Sequence, residues 1–152
     1  MAHLITEKCV GCGVCAIKCP VSAISGERKK MYFIDVNFCI DCSVCGRYCP
    51  QSAIVNSLGE VIERISPQEM PKAIVNINDC NGCENCVGIC PFGSLTLIKY
   101  PHGESFDKVV KVDFKKCVGC GLCEEICIKR AIRIEERVSV GIKEGEGYQK
   151  MD

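Results

Sequence analysis

Nothing in the opening MAHLITEKC places an apolar run between a basic end and a cleavage site, so a secretory signal is not expected. No apolar run approaches the ~20 residues that a membrane helix needs, so membrane insertion is not expected either. The chain has neither a glycine-rich nucleotide fingerprint nor a Ser-His-Asp set in sequence, which argues against nucleotide chemistry and triad hydrolysis. Formal net charge is also missing, since 19 basic and 19 acidic residues cancel. Finally, no cysteine is left over: all 16 fall inside four short runs in a chain of 152 residues.

Those runs are Cys9, Cys12, Cys15, Cys19; Cys39, Cys42, Cys45, Cys49; Cys80, Cys83, Cys86, Cys90; and Cys117, Cys120, Cys123, Cys127. Each has the spacing C-x2-C-x2-C-x3-C. A disulfide framework would need an oxidising compartment, whereas the expected setting is cytoplasmic and reduced. Zinc sites usually draw their thiolates from two separated pairs, not from three cysteines within seven residues. Three thiolates at x2 intervals on a tight loop can reach three corners of one 4Fe-4S cluster. The fourth, three residues on and on a short helical turn, points away toward a neighbouring cluster.

The segments around the runs repeat one plan. A β-prone stretch precedes each run and another follows: LIT then AI, YFIDV then AIV, AIVNI then LTLI, VVKVDF then AIRI. The plan is a β-loop-α-β unit repeated four times, each burying its apolar face only against its partner.

CVGCGVCAIKCPVSAI with CIDCSVCGRYCPQSAI resembles a bacterial two-cluster ferredoxin, and CNGCENCVGICPFGSL with CVGCGLCEEICIKRAI resembles a second. The resemblance implies an α+β fold of two tandem ferredoxin-like modules, with short β-hairpins and short helices around two 4Fe-4S clusters each. It implies a four-cluster polyferredoxin. Expected boundaries are 1–60 for the first module, 61–71 for a connector, 72–137 for the second module and 138–152 for a polar tail.

Two pairings of the motifs are open under this resemblance. Nested pairing joins one with four and two with three, as in iron-sulfur subunits of some multi-subunit oxidoreductases. Tandem pairing joins one with two and three with four. The likeness of the first sixty residues to a free-standing ferredoxin favours the tandem order. That order implies ligand sets Cys9, Cys12, Cys15, Cys49; Cys39, Cys42, Cys45, Cys19; Cys80, Cys83, Cys86, Cys127; and Cys117, Cys120, Cys123, Cys90.

The clusters also change the net charge. Starting from zero, sixteen thiolates and four oxidised cores leave about −8, and full one-electron reduction about −12. Nucleic-acid binding is therefore not expected, despite Arg28, Lys29, Lys30 and Lys129, Arg130, Arg133. Those residues read as a solvated face or as docking points for an acidic partner. All four clusters can be filled by four cysteines each, and no C-x3-C-x2-C radical triplet or three-cysteine hydratase site occurs. The chain thus reads as an electron carrier, not an enzyme, with no small-molecule substrate of its own. The resemblance implies an electron-transfer subunit that works with the catalytic subunit of a larger anaerobic oxidoreductase, or with another ferredoxin. Tungsten or molybdenum aldehyde oxidoreductases, aromatic acyl-CoA reductases, hydrogenases and formate dehydrogenases are of this kind. A free, diffusing polyferredoxin is the alternative.

Smaller features carry expectations of their own. Ser66 and Pro67 are expected to start a turn in the connector that Pro71 stops. Between Cys90 and Cys117, 27 positions against 20 for Cys19 to Cys39, KYPHGESFDK reads as a surface insertion with an exposed His102. Tyr32, Phe33, Phe38, Tyr48, Phe92 and Phe114 are expected to pack as core around the clusters. Gly11, Gly13, Gly119 and Gly121 correspond to Asp41 and Ser43 in the second motif and to Gly82 and Glu84 in the third, so the four loops should differ in potential. Ile128, standing where the other motifs have proline, is expected to donate its amide toward sulfur.

Overall fold

In the computed structural model, residues 2–99, 108–136 and 148–149 are described. Two compact units divide the chain, Met1–Ser66 and Pro67–Asp152. The insertion at 100–107, with His102, and most of the expected tail lie outside the described residues.

The first unit contains β1 (Leu4–Ile5), α1 (Val14–Lys18), β2 (Ile24–Ser25), β3 (Phe33–Ile34), α2 (Val44–Tyr48) and β4 (Ile54–Val55). The second repeats the order with β5 (Lys72–Asn76), α3 (Asn85–Ile89), β6 (Leu95–Lys99), β7 (Lys108–Val112), α4 (Leu122–Ile126) and β8 (Ile132–Glu135), and β9 (Tyr148–Gln149) follows. This is the tandem α+β architecture. Within each unit the outer strands pair and the inner strands pair: β1 with β4 and β2 with β3, then β5 with β8 and β6 with β7, all antiparallel. The first strand of one repeat therefore lies against the last strand of the next, which locks the two repeats of a unit together. β9 adds to β5 in parallel, Val75 facing Tyr148.

The second unit's strands run to four or five residues, as in KAIVN with two β-branched residues and KVVKV with three, where the first unit has pairs such as LI and FI. The cores follow suit. Ala73, Val75, Leu95, Val110, Val112 and Ile132 surround buried Cys86, Cys117 and Cys123 in the second unit. In the first, Ile24, Tyr32 and Ile54 pack on Cys15 and Cys45. Of the aromatics expected in the core, Tyr32 is buried and Phe114 packs against the second core, but Phe33 and Phe38 are each 64 % exposed. Alternation explains Phe33: Ile34 beside it turns inward toward the core, so Phe33 faces out.

The segment 61–71, expected as one connector, is divided between the units. Ile62 donates its amide to Ile54, bridges back toward β4 through Val61, and packs on the flat face left by Gly46. Ile65 reaches the carbonyl of Arg47. From Pro67 onward the chain makes a turn and belongs to the second unit, where Met70 is buried and Lys72 Nζ bonds Pro67 O.

Candidate metal centres

Each cysteine run folds the same way. The residues two and four places after the first cysteine adopt left-handed backbone: Gly11 and Gly13, Asp41 and Ser43, Gly82 and Glu84, Gly119 and Gly121, with φ between 59 and 87°. These two reversals flank the second cysteine and curl the loop. A five-residue helix then carries the third cysteine on its inner face, where Cys15, Cys45, Cys86 and Cys123 are buried. The fourth cysteine leaves the helix in extended backbone, ψ 101–118°, so its thiol is turned from the loop that precedes it.

Three of the loops are pressed against neighbouring backbone. A Cβ on Gly11 would lie 2.5 Å from the Lys30 amide nitrogen, and one on Gly119 would lie 2.5 Å from the Pro71 carbonyl. Only glycine combines that approach with the left-handed angle. The second motif has Asp41 at this place and is held by side chains instead. His3 is 2 % exposed, its Nε2 lies 2.9 Å from Ser43 Oγ, and its Nδ1 lies 2.5 Å from Asp41 Oδ1. Burial pushes the His3 pKa down, with Asp41 opposing, and the ring braces the loop between Ser43 and Asp41. The sequence motifs give no sign of this Ser-His-Asp set because His3 lies forty residues from Ser43.

Two cavities lie in the first unit. One is lined by Cys9, Cys12, Cys15 and Cys49, with Gly13 and Ile54. The other is lined by Cys39, Cys42, Cys45 and Cys19, with His3 and Ile34. In the second unit the thiol neighbourhoods have the same composition. Cys86 feels the charge of Cys80, Cys127 and Cys83, while Cys123 feels Cys117 and Cys120 first, then Cys86 and Cys90. Burial, before thiol neighbours, pushes Cys15 and Cys86 up to about 11 and Cys45 and Cys123 up to about 12. Thiols so placed resist ionisation unless a cationic metal core lies among them. Among the described residues no group of three or more His, Cys, Asp or Glu converges tightly enough for a single ion. The donor set, all sulfur and four to a cage, fits a 4Fe-4S cluster.

The fourth cysteines receive one further bond each. The amides of Ala23, Ala53 and Ala131 donate to the sulfurs of Cys19, Cys49 and Cys127 at 3.3–3.4 Å. At Cys90 the Ser94 hydroxyl is 3.1 Å away instead. The expected Ile128 amide is not the donor to Cys127; Ala131 is, and the Ile128 side chain is 75 % exposed.

Family models for 4Fe-4S binding match residues 2–25, and models for the 4Fe-4S dicluster domain match residues 38–94 and 79–132. The chain belongs to the 4Fe-4S ferredoxin-domain proteins. Its cofactors are 4Fe-4S clusters. The 38–94 match runs over the second and third motifs, whereas each first-unit cavity is lined by cysteines of the first and second. Pyruvate synthase subunit PorD of Methanothermobacter marburgensis is 33% identical over 42% of this chain and 65% of its own length. An iron-sulfur subunit of the CoB--CoM heterodisulfide reductase of Methanocaldococcus jannaschii is 30% identical over 51% of this chain and 14% of its own length. DNA-directed RNA polymerase subunit Rpo3 of Methanosarcina acetivorans is 31% identical over 41% of this chain and 21% of its own length. The chain therefore spans less than two thirds of each of these relatives. A solved formate dehydrogenase, heterodisulfide reductase and formylmethanofuran dehydrogenase complex from Methanospirillum hungatei contains a chain 21% identical, covering 82% of this chain and 47% of its own, with a TM-score of 0.45, a likeness too loose to weigh. No helix among the described residues is long and apolar enough to cross a membrane.

Proposed function

We propose that the chain carries single electrons through four 4Fe-4S clusters, as the iron-sulfur subunit of a larger anaerobic oxidoreductase, and has no catalytic step of its own. The ligand sets are tandem: Cys9, Cys12, Cys15 and Cys49; Cys39, Cys42, Cys45 and Cys19; Cys80, Cys83, Cys86 and Cys127; Cys117, Cys120, Cys123 and Cys90. The observation that carries this reading is the pair of first-unit cavities, each walled by three thiols of one motif and the last thiol of the other. When bound, a 4Fe-4S cluster takes up and gives back one electron with little change of shape.

The chain's own residues do the rest. The left-handed loops aim three thiols inward, the extended fourth cysteine closes the partner cage, and Ile24, Ile54, Val110 and Ile132 keep water from the buried sulfurs. With every cage closed by four cysteines no iron is left with an open position, which suits transfer and not substrate turnover. The likeness to subunits of pyruvate synthase and heterodisulfide reductase supports a catalytic partner of the redox kind and a cytoplasmic setting. Anaerobic purification from the native source tests both parts. Near 16 iron and 16 acid-labile sulfide per chain, together with a co-purifying redox enzyme, is the expected result. A species of the chain's own 16.7 kDa would point to a free polyferredoxin, and co-purification with a polymerase would sink the electron-transfer reading.

A further inference from the structure

Lys72 is a lysine at the first position of a strand, yet it is only 5 % exposed. Its ammonium donates to the Pro67 carbonyl at 2.8 Å and to the Cys117 carbonyl at 2.6 Å. The next amide, that of Ala73, donates to Cys117 Sγ at 3.4 Å. β5 therefore grips Cys117 twice, at its carbonyl with a cation and at its sulfur with an N–H. Among the described residues no carboxylate lies within ion-pair distance of Lys72, and Asp113 acts on it only through space. A buried ammonium without a counterion is strongly disfavoured, unless negative charge is supplied by something adjacent. Cys117 and Asp113 are the negative neighbours of the ammonium, and the thiolate cage begun by Cys117 would supply that charge when a cluster is bound.

The corresponding strand position in the first unit holds no cation; the cation there, Arg47, comes from the helix and reaches the Cys42 carbonyl at a longer 3.5 Å. Thr6 and Asn76 are equivalent, because each donates its amide at 2.7 Å to the alanine carbonyl that precedes the last strand, Ala53 and Ala131. Counting back along the paired strands sets Ala2 where Lys72 stands and His3 where Ala73 stands. The same comparison holds at the fourth ligand, where Ala23 occupies the place of Ser94, so that Cys19 receives an amide and Cys90 a hydroxyl. On the loop itself, Asp41 stands where the second unit has Gly119.

We infer that Lys72 and Ser94 are potential-setting residues that make the site of Cys117, Cys120, Cys123 and Cys90 the most readily reduced of the four, the resting place of the first electron. The inference rests on the tandem ligand sets of the preceding subsection. A fixed cation next to a cage favours the state with one more electron. A hydrogen bond to a ligand sulfur does the same, and the Ser94 contact at 3.1 Å is shorter than the amide bonds of 3.3–3.4 Å at Cys19, Cys49 and Cys127. The two act from opposite sides, Lys72 at the first cysteine of the motif and Ser94 at the cysteine lent by the neighbouring motif. The structural alternative is that Lys72 merely staples the Pro67 turn to the fourth motif.

The test is an EPR-monitored redox titration of the full-length, cluster-loaded protein with an iron count on every sample. Cys120→Ser first marks the signal of this site, which in the unsubstituted protein must have the highest of the four midpoints; any other rank overturns the inference. Lys72→Met is expected to lower that midpoint alone, with the reduced-to-oxidised ratio at fixed potential falling about tenfold, ~59 mV for a one-electron couple. Lys72→Arg is expected to restore most of the shift, which a staple role would not require. Ser94→Ala, a change of one oxygen that leaves the fold in place, is expected to move the same midpoint downward by less. A full iron count with no shift in Lys72→Met, or an unmoved midpoint in Ser94→Ala if Lys72→Met fails to load, overturns it. Should Cys90→Ser and Cys120→Ser mark different signals, the ligand sets fail instead, a result separable from any effect of Lys72.

Discussion

The two units share one connectivity and one ligand spacing but are built to different depths. In the second, five-residue strands bury Ala73, Ile74 and Val75 almost completely, and glycine meets backbone at two loops. In the first, two-residue strands support a smaller core, and Leu4, Val10, Ile17, Phe33, Val36, Phe38 and Leu58 remain exposed. One of its loops depends on a histidine strut where backbone contact serves elsewhere. Identical ligand geometry therefore does not require identical support. The ligand cage sets the local fold, and the amount of apolar burial around it decides how far the polypeptide can hold that fold alone.

Removing iron should expose this difference most strongly. Chelation under reducing conditions is expected to unfold the first unit outright, while hydrogen exchange still finds residual protection in β5 and β8 of the second; equal loss in both would contradict the comparison. A smaller but still large effect is expected from Gly119→Ala, whose Cβ meets the Pro71 carbonyl at 2.5 Å in left-handed backbone. The cost is on the order of 3 kcal/mol, from strain and overpacking together, and should appear as loss of about two clusters' iron from the second unit with the first unit's signals intact. His3→Ala is expected to cost about 1–2 kcal/mol by leaving Ser43 and Asp41 without their partner, read as a lower denaturation midpoint of the first unit only. Glu84→Gly should stabilise the third loop by roughly 1 kcal/mol, because Glu84 is strained in a left-handed angle that glycine adopts freely. The least effect is expected from Ile128→Pro. Cys19 and Cys49 accept the same alanine amide behind a proline, so cluster midpoints should be unchanged, and a clear shift would show that Ile128 itself touches the cage.

The sequence made the four cysteine runs, the four β-loop-α-β repeats and the special loop positions legible, because each is a local pattern within one repeat. Asp41, Ser43 and Glu84 could be placed beside the glycines by alignment of the motifs alone, although their left-handed angles were visible only in the fold. What escaped sequence reading was set by distance or by exception. His3 meets its partners across forty residues. Lys72, a residue type that normally faces solvent, is buried because the Pro67 turn and the fourth motif close over it. Phe33 and Phe38 read as core from their places beside the motifs, yet strand alternation turns Phe33 outward and Phe38 stands on an exposed turn. Within the 61–71 segment, Ile62 fills the gap beside Gly46, a contact across sixteen positions that the local turn signals of Ser66, Pro67 and Pro71 do not announce.

The central claim is that each cage is completed by the neighbouring motif of its own unit. The most direct test compares the EPR spectra of Cys49→Ser, Cys12→Ser and Cys83→Ser in the cluster-loaded full-length protein. Tandem closure predicts that Cys49→Ser perturbs the same signal as Cys12→Ser. A Cys49→Ser change in the signal marked by Cys83→Ser would contradict it and establish the nested order instead.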